Sequence, residues 1–341
     1  MDPFALHLWN RFFWTSTIEM LSIPLLRAPH LILAVVINQI GLEDLISLSL
    51  CSKTMFLLIQ FHRTVMKEMD LGVSCVSNED YKISCYRGFG SNTTITPFLS
   101  VENAEYLYSE TDDNNNNVGA KILLSEVKVI NQRGPVFVDR KDGYIRTFWL
   151  DEAFGIQEMS RYVTKLLKKN IKIVNFDENS FWFLDWIKTV QTGLHIAFIF
   201  SNESFNNEQY EYVLQKCEAN DVVLNAKPPP SFEYRKEMRE RECIDVQHGH
   251  WITLDHLLNM RIPHMDIRKS KLTIADLNAF LKHWLNGGSP QLKRFGITAT
   301  FRSGIEIRQE NGKRATIARN FEQNVLLVAV GDDFIEKFSE E

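Results

Sequence analysis

The residues best suited to metal binding or proton transfer are three histidines and one aspartate in the C-terminal half of the chain. His248 and His250 lie two positions apart, and Asp255 and His256 follow shortly after them. Two such histidines could chelate a metal ion from a strand or a loop. No second cluster supplies the remaining ligands at a recognised spacing, and no carboxylate lies in an HExxH frame. We therefore predict no metal ligands and no cofactor.

The motifs of catalysis are incomplete in this sequence. Gly88-Phe-Gly90 resembles half of a dinucleotide-binding loop, but Thr93 stands where the third glycine belongs, so we interpret the segment as a β-turn. No G-x-S-x-G elbow is present, and Cys51 lies in an apolar helix rather than in an electropositive cleft that would activate its thiolate. The sequence nominates no catalytic residue, and we predict a protein that is not an enzyme. A hydrolase acting on simple esters is the catalytic alternative.

Three aromatic residues, Trp182, Phe183 and Trp186, lie on one predicted helix. Large rigid rings are common anchors at binding surfaces. Their spacing is more typical of a helix that turns its apolar side toward a core. We therefore expect these rings to be packed inside the domain.

Composition limits the class of protein. The chain has 341 residues, of which 45% are hydrophobic, enough for one or more buried cores. A formal charge of -5 and the lack of a basic tract argue against nucleic acid or an anionic membrane as a partner. Five cysteines without a Cys-x-x-Cys pair are typical of a reducing compartment. The longest apolar runs, 31–37 and 196–200, are shorter than the ~18 residues that span a bilayer. We expect a soluble intracellular protein of the cytoplasm, the nucleus or both.

The first 22 residues form an aromatic leader that includes Trp9, Phe12 and Phe13. Asp2 stands where a signal peptide carries positive charge, and no small-residue cleavage site follows, so secretion is not expected. The three rings share a helical face. The leader is therefore either an extra helix on the body of the protein or a helix that targets a membrane surface.

Residues 29–59 have the spacing of three short helices. Apolar side chains recur every three or four residues at 31–40, and Gly41 ends this first helix. Glu43 and Asp44 lie in the acidic first turn of the second helix, and Ser52 can cap the third. A module of roughly forty residues has too much surface to hide all its apolar groups, so part of the stripe should face a partner. The alternative is that the stripe packs against the rest of the same chain.

Two segments give this module a more specific interpretation. Ile-Pro-Leu-Leu-Arg-Ala-Pro-His at 23–30 and Leu-Ser-Leu-Cys-Ser-Lys at 48–53 resemble the F-box of the expanded nematode F-box family. In that family the F-box binds the Skp-type linker of a cullin-based ubiquitin ligase, and the rest of the chain recognises a protein target. The resemblance implies the same partners here. It also implies a partner-binding set that consists of Pro29, Ile32, Val36, Ile37, Ile40, Leu45 and Leu48.

Residues 81–150 change to the two-residue period of half-buried strands. Alternating segments at 81–86, 127–130, 135–138 and 144–148 predict a small antiparallel sheet. The Asp and Asn run at 111–117 is too polar to pack and predicts an exposed loop.

Beyond Gly155, helices alternate with strands that are nearly all apolar. Such strands suit a parallel sheet covered by helices, and their starts recur at about 24 to 26 residues, within the range of leucine-rich repeats. Three prolines at 228–230 and a mixed charged run at 234–242 interrupt the array, and we interpret 228–242 as a solvated insertion that could contact a target.

The end of the chain carries the second resemblance. Leu-Thr-Ile-Ala-Asp-Leu-Asn-Ala-Phe-Leu-Lys-His-Trp-Leu at 272–285 and Leu-Lys-Arg-Phe-Gly-Ile at 292–297 resemble the C-terminal domain that accompanies these F-boxes. After them, 305–308 and 315–317 predict a β-hairpin that turns at Asn311-Gly312.

The fold we expect is α+β, with a three-helix F-box, a small antiparallel β region and leucine-rich-repeat-like βα units that end in a hairpin. The predicted parts are the leader at 1–22, the F-box at 23–70, the β-rich region at 71–150 and the F-box-associated domain at 151–330. The implied function is that of a substrate-recognition subunit of an SCF-type E3 ubiquitin ligase. The alternative is a leucine-rich-repeat-like interaction scaffold without a ligase.

Overall fold

A computed structural model describes residues 29–62, 69–77, 79–87, 93–104, 137–141, 144–201, 205–298, 305–308, 314–320 and 325–330. The chain forms two compact units, Met1–Ser74 with Asn78–Ile171, and Cys75–Ser77 with Lys172–Glu341. The predictions for the leader, the Gly88 to Gly90 turn, the 111–117 loop and the 127–130 strand fall outside the described residues and stay predictions.

The first unit begins with three helices, α1 (His30–Gln39), α2 (Leu42–Cys51) and α3 (Lys53–His62). This confirms the predicted cluster of short helices. Pro29 precedes α1, where its missing N–H costs nothing because the first turn of a helix has no partners for its donors. Glu43 and Asp44 lie in the first turn of α2 and complement its dipole. The Ser52 hydroxyl accepts a hydrogen bond from the Met55 N–H at 3.4 Å, as expected of a cap for α3.

A mostly antiparallel sheet follows the helices. Its strands are β1 (Met69–Cys75), β2 (Tyr81–Arg87), β3 (Thr94–Asn103), β4 (Phe137–Lys141) and β5 (Tyr144–Trp149). They lie in the order β1-β2-β3-β5-β4. The expectation of an antiparallel sheet is wrong for one pair, because β3 and β5 run in parallel. The β4–β5 hairpin puts β4 at the outside, which brings β5 next to β3 in the same direction.

A long helix, α4 (Glu152–Leu167), completes the first unit and contacts β2, β3, β5 and α3. The Asp151 carboxylate caps it by accepting a hydrogen bond from the Phe154 N–H at 3.0 Å. Gly155 lets the helix approach the sheet, since a Cβ there would lie 2.6 Å from the Trp149 ring. The first turn of α4 is therefore fitted to one aromatic side chain.

The second unit alternates strands with helices, as predicted. Its strands are β6 (Ile171–Phe176), β7 (Ile196–Ile199), β8 (Asp221–Leu224), β9 (Cys243–Val246), β10 (His264–Ile267), β11 (Arg294–Thr298), β12 (Ile305–Arg308), β13 (Arg314–Asn320) and β14 (Val325–Val330). Its helices are α5 (Phe181–Val190), α6 (Asn207–Lys216), α7 (Leu254–Asn259) and α8 (Ile274–Leu285). The mixed α+β class is confirmed, while the likeness of the units to leucine-rich repeats stays a prediction.

Strand order in the second unit follows chain order from β6 to β11, and all these strands are parallel. β11 then pairs antiparallel with β14, and β14 with β13, which forms the predicted hairpin with β12. β14 is an additional strand that the sequence reasoning missed.

The sequential order decides where the helices lie. Right-handed crossovers that always step in one direction put every crossover helix on the same side of the sheet. On that side one buried row crosses the strands in register and consists of Ala197, Val222, Ile244 and Met265. The Phe280 ring of α8 packs on the Phe295 ring of β11, with the ring centroids 5.0 Å apart. The opposite side, which we call the open face, has half-buried side chains in β7 to β10.

Candidate docking surface of the helical module

The residues of the predicted partner-binding set divide between the inside and the outside of the helical module. Ile37 and Leu45 have no exposed surface, so they join the helices together and we assign them to the core. Ile32 and Pro29 are exposed. The remaining three, which are half-buried, are Val36, Ile40 and Leu48. A role in docking stays a prediction for all seven residues, of which five reach the surface.

The module exposes more apolar surface than the predicted set includes. On α1 the exposed fractions of Leu31, Ile32 and Val35 are 78%, 52% and 58%, and on α3 those of Leu57 and Phe61 are 54% and 74%. The spacings of one and four residues put these side chains on one flank of each helix. We call these five residues the exposed apolar face. Large apolar groups exposed together in this way are typical of interaction sites.

The first turn of α1 and the last turn of α3 lie next to each other. The His30 and His62 rings share a hydrogen bond of 3.1 Å between Nδ1 and Nε2, and the Phe61 ring stands edge-on to both imidazoles, with centroids 6.2 and 4.9 Å away. Leu31, directly after His30, is therefore at the same end of the module as Phe61. The two helices thus each present an exposed apolar side chain at the same end of the module.

The opposite side of the module is used inside the first unit. The Tyr162 hydroxyl of α4 donates a 2.7 Å hydrogen bond to the Ser49 hydroxyl, and its ring lies 5.4 Å from that of Phe56. The Gln60 amide donates to the Lys165 carbonyl at 2.8 Å. Burial raises the pKa of Tyr162 to about 12, so its hydroxyl stays protonated as this bond requires. Packing against the same chain, the alternative considered for the stripe, accounts for this side, while each of the five residues of the exposed apolar face keeps more than half of its surface exposed.

Four of the five thiols have pKa values shifted away from nucleophilic activation. Burial raises the pKa of Cys51 and Cys217, and the pKa of Cys75 is raised by burial and by the negative charge of Asp177. The pKa of Cys243 is raised to about 11 for the same kinds of reason. A thiol is nucleophilic only as its thiolate, so none of these four has the electropositive setting of a reactive cysteine.

Two of the three histidines that could have formed a metal site, His250 and His256, contact the backbone of their own domain. His256 Nε2 donates to the Tyr234 carbonyl at 2.8 Å, and its Nδ1 accepts from the Thr253 N–H at 3.1 Å. Burial lowers the pKa of His256, which favours the neutral ring that this pattern needs. His250 Nε2 lies 3.3 Å from the Pro229 carbonyl. Within the described ranges, no three His, Cys, Asp or Glu side chains lie together as metal ligands.

The insertion at 228–242 is only partly solvated, so the prediction for it is wrong at Phe232, Tyr234 and Arg241. Phe232 and Tyr234 are buried, with the Phe232 ring 4.8 Å from that of Tyr210 and the Tyr234 ring 5.8 Å from that of Trp251. Arg241 is also buried and donates to the Leu214 carbonyl at 2.9 Å. The stabilisation from burying these two rings outweighs the tendency of the neighbouring charged residues to stay in water. Residues 233 and 235–237 remain exposed beside a cleft of about 1080 Å³.

Of the three aromatic residues of α5, Phe183 is in the core as expected, whereas Trp182 and Trp186 are half-buried. Phe183 is buried, and the Trp186 and Trp182 rings lie 5.0 and 5.7 Å from it. In the described part of the chain, no helix is long and apolar enough to cross a membrane.

Comparison with known protein families gives a match for one region of the chain. Residues 233–297 match the protein family described as F-box associated. That segment runs from Glu233, within the insertion, through β9, α7, β10 and α8 to β11. It contains the two C-terminal segments whose resemblance suggested the same domain.

Two proteins of Caenorhabditis elegans are similar to this chain. The Skn-1 dependent zygotic transcript 15 protein is 24% identical over 345 residues, which cover 86% of this chain and 93% of that protein. The E3 ubiquitin-protein ligase hecw-1 is 43% identical over 49 residues, which are 14% of this chain and 4% of that protein. No solved structure gives a significant match.

Proposed function

We propose that this protein is the substrate-recognition subunit of a cullin-based SCF-type ubiquitin ligase, working in the cytoplasm or nucleus. The observation that carries the proposal is the presence of an exposed apolar face on a three-helix module in the same chain as an F-box-associated region. In this arrangement the module binds a Skp-type linker, and the C-terminal unit holds the target protein.

The role is one of tethering rather than catalysis. Holding a target next to the loaded transfer enzyme raises the effective concentration of its lysines, and this needs no nucleophile, metal or cofactor from the receptor. The raised pKa values of the four thiols are consistent with that division of labour. The ligase chemistry belongs to the partners.

The exposed apolar face has the composition that a stable contact requires. Leu31 and Phe61 are each about three-quarters exposed, so most of their apolar area is still available for burial in a complex. Aromatic and aliphatic anchors supply most of the affinity at interfaces, while the half-buried Val36, Ile40 and Leu48 would form the border.

Copurification from nematode extract tests the proposal with the full chain. We expect Phe61→Asp to abolish capture of the Skp-type linker while leaving the folded state intact, because the side chain contributes little to the core. Ile274→Asp is the matched control, since Ile274 is also exposed, at 57%, but lies on α8 of the second unit. Capture of the linker by the wild type and both variants, or by none of the three, contradicts the proposal.

The scaffold without a ligase is the second candidate. Two hydrogen bonds favour it, from the Tyr162 hydroxyl of α4 to Ser49 and from the Gln60 amide to the Lys165 carbonyl of α4, because they fix the module to its own unit as a terminal cap would be fixed. The same experiment separates the two: a scaffold does not capture the linker, and Phe61→Asp leaves its set of captured proteins unchanged.

A further inference from the structure

The open face of the second unit presents two rows of side chains that cross the parallel strands in register. The first row contains Ile196, Asp221, Cys243 and His264. The second contains Phe198, Val223, Asp245 and Asp266. All eight are half-buried, whereas their neighbours along each strand are buried under the helices. Parallel sheets usually have both faces covered, so a face of this kind is available for a partner.

One end of the open face is aromatic. The rings of Phe198 and Phe200 lie parallel, with an angle of 9° and centroids 6.1 Å apart, and Phe200 is 38% exposed. Val223 is the register neighbour of Phe198 on the next strand. This part of the face offers flat apolar surface, and Asn175 of β6 is the polar register neighbour on the other side of Phe198.

The middle of the face is negative. Burial, followed by the charge of its register neighbour Asp266, raises the pKa of Asp245. The pKa of Asp221 is also raised by burial, and its Oδ1 atom is shielded from water without a hydrogen-bond partner among the described residues. The pKa of Cys243 is raised mainly by burial and then by the negative charges of Asp221 and Asp245, so both carboxylates act on this thiol as well.

The charges of this face are unevenly neutralised. Asp266 lies 3.7 Å from the Arg268 guanidinium and 3.8 Å from that of Arg294. Asp221 and Asp245 have no ion pair with a described residue, and Asp245 accepts only a neutral bond, from Gln247 at 2.8 Å. Among the described residues, cations therefore form ion pairs at the β10–β11 end, whereas at β8 and β9 they act only without direct pairing, His195 and His264 on Asp221 and Arg268 and Arg294 on Asp245.

From this arrangement we infer that the open face binds an extended basic segment of the target protein, in which arginine or lysine alternates with apolar residues. This inference rests on the proposed role as a substrate receptor. A cationic head would lie between Asp221 and Asp245, its aliphatic stem would cover Val223, and a neighbouring apolar side chain would pack on Phe198 and Phe200. The partner then supplies the positive charge that these two carboxylates lack.

The test uses fluorescein-labelled peptides and the full chain. The probes are a twelve-residue alternating Arg-Leu peptide, its Glu-Leu counterpart and its Arg-Ser counterpart, and binding is followed by anisotropy at physiological salt. Asp221→Asn with Asp245→Asn should weaken Arg-Leu binding about tenfold or more, since each removes a partly desolvated charge from the contact. Phe200→Ala should remove the preference for Arg-Leu over Arg-Ser.

A second pair of substitutions controls for net charge. Asp185→Asn with Glu208→Gln changes the charge equally, but on exposed residues of α5 and α6, the helix side of the sheet. Equal weakening by both pairs, binding of the Glu-Leu peptide, or no binding of Arg-Leu to the wild type overturns the inference. The Asn variants are expected to be at least as stable as the wild type, so loss of binding cannot come from unfolding.

Linker capture by the same samples separates this inference from the proposed function. If the wild type and the Asn variant capture the Skp-type linker equally while the peptides fail to bind, only the inference fails. If the wild type does not capture the linker, the proposed function fails whatever the peptides do.

Discussion

Leu31 and Ile37 lie on the same helix and should respond to truncation in opposite ways. Ile37 has no exposed surface, so Ile37→Ala leaves a cavity and should lower the free energy of unfolding by ~2–5 kcal/mol. Leu31 is 78% exposed, and only about a fifth of the ~1.5–3 kcal/mol of a fully buried leucine is gained on folding. Leu31→Ala should therefore cost stability by only ~0.3–0.6 kcal/mol.

For binding to the Skp-type linker, the exposed Leu31 should matter much more than it does for stability. If the linker buries the exposed part of Leu31, that part contributes ~1.2–2.3 kcal/mol, which corresponds to a loss of roughly 7- to 50-fold in affinity for Leu31→Ala. Guanidinium chloride unfolding, followed by fluorescence and circular dichroism, measures the free energy of unfolding. Fluorescence anisotropy with labelled linker measures the affinity. Equal destabilisation by the two substitutions would refute the assignment of inside and outside. Unchanged linker affinity in Leu31→Ala would refute the docking surface.

Three further predictions concern stability. In a double-mutant cycle, Ser49→Ala and Tyr162→Phe should show a coupling of ~0.5–1.5 kcal/mol because they remove one hydrogen bond, and additive effects would mean that this bond contributes nothing. Gly155→Ala should lower the melting temperature by an amount equivalent to ~1–3 kcal/mol, since the new Cβ meets the Trp149 ring, and an unchanged melting temperature would show that the ring moves aside freely. The raised pKa of Asp245 means that its charge opposes folding once the pH exceeds the folded-state pKa, and this penalty disappears as the pH falls through that value. Asp245→Asn should therefore be more stable than the wild type at neutral pH and should lose this advantage in acid, whereas greater stability at every pH would point to another cause.

The secondary structure of the helical module could be predicted because its signals are local. Spacing, Gly41 and the Ser52 cap define three helices within ten-residue segments. The division between core and surface could not be predicted, since α1 is apolar on nearly every side. Leu31 and Leu33 differ only in which of them faces the other helices, and that depends on packing between segments.

The misses in the β regions and the insertion have the same origin. The parallel pairing of β3 and β5 depends on where the β4–β5 hairpin lies, and no local pattern in either strand encodes it. Phe232 and Tyr234 look exposed because charges surround them, but their burial comes from ring contacts with Tyr210 and Trp251, each more than fifteen positions away in the chain. Sequence reasoning misses the stabilisation that distant residues provide.

The sequential strand order of the second unit also bears on how such a protein can diversify. Each of the inner parallel strands, β7 to β10, pairs only with the strands before and after it, so duplication or loss of one strand with its helix adds or removes one position in each row and leaves the remaining pairings in register. A new unit of this kind would lengthen the sheet by one strand spacing, ~4.8 Å. Relatives could therefore change the length of the partner they accommodate by copy number alone, without remodelling the helices or the three-helix module.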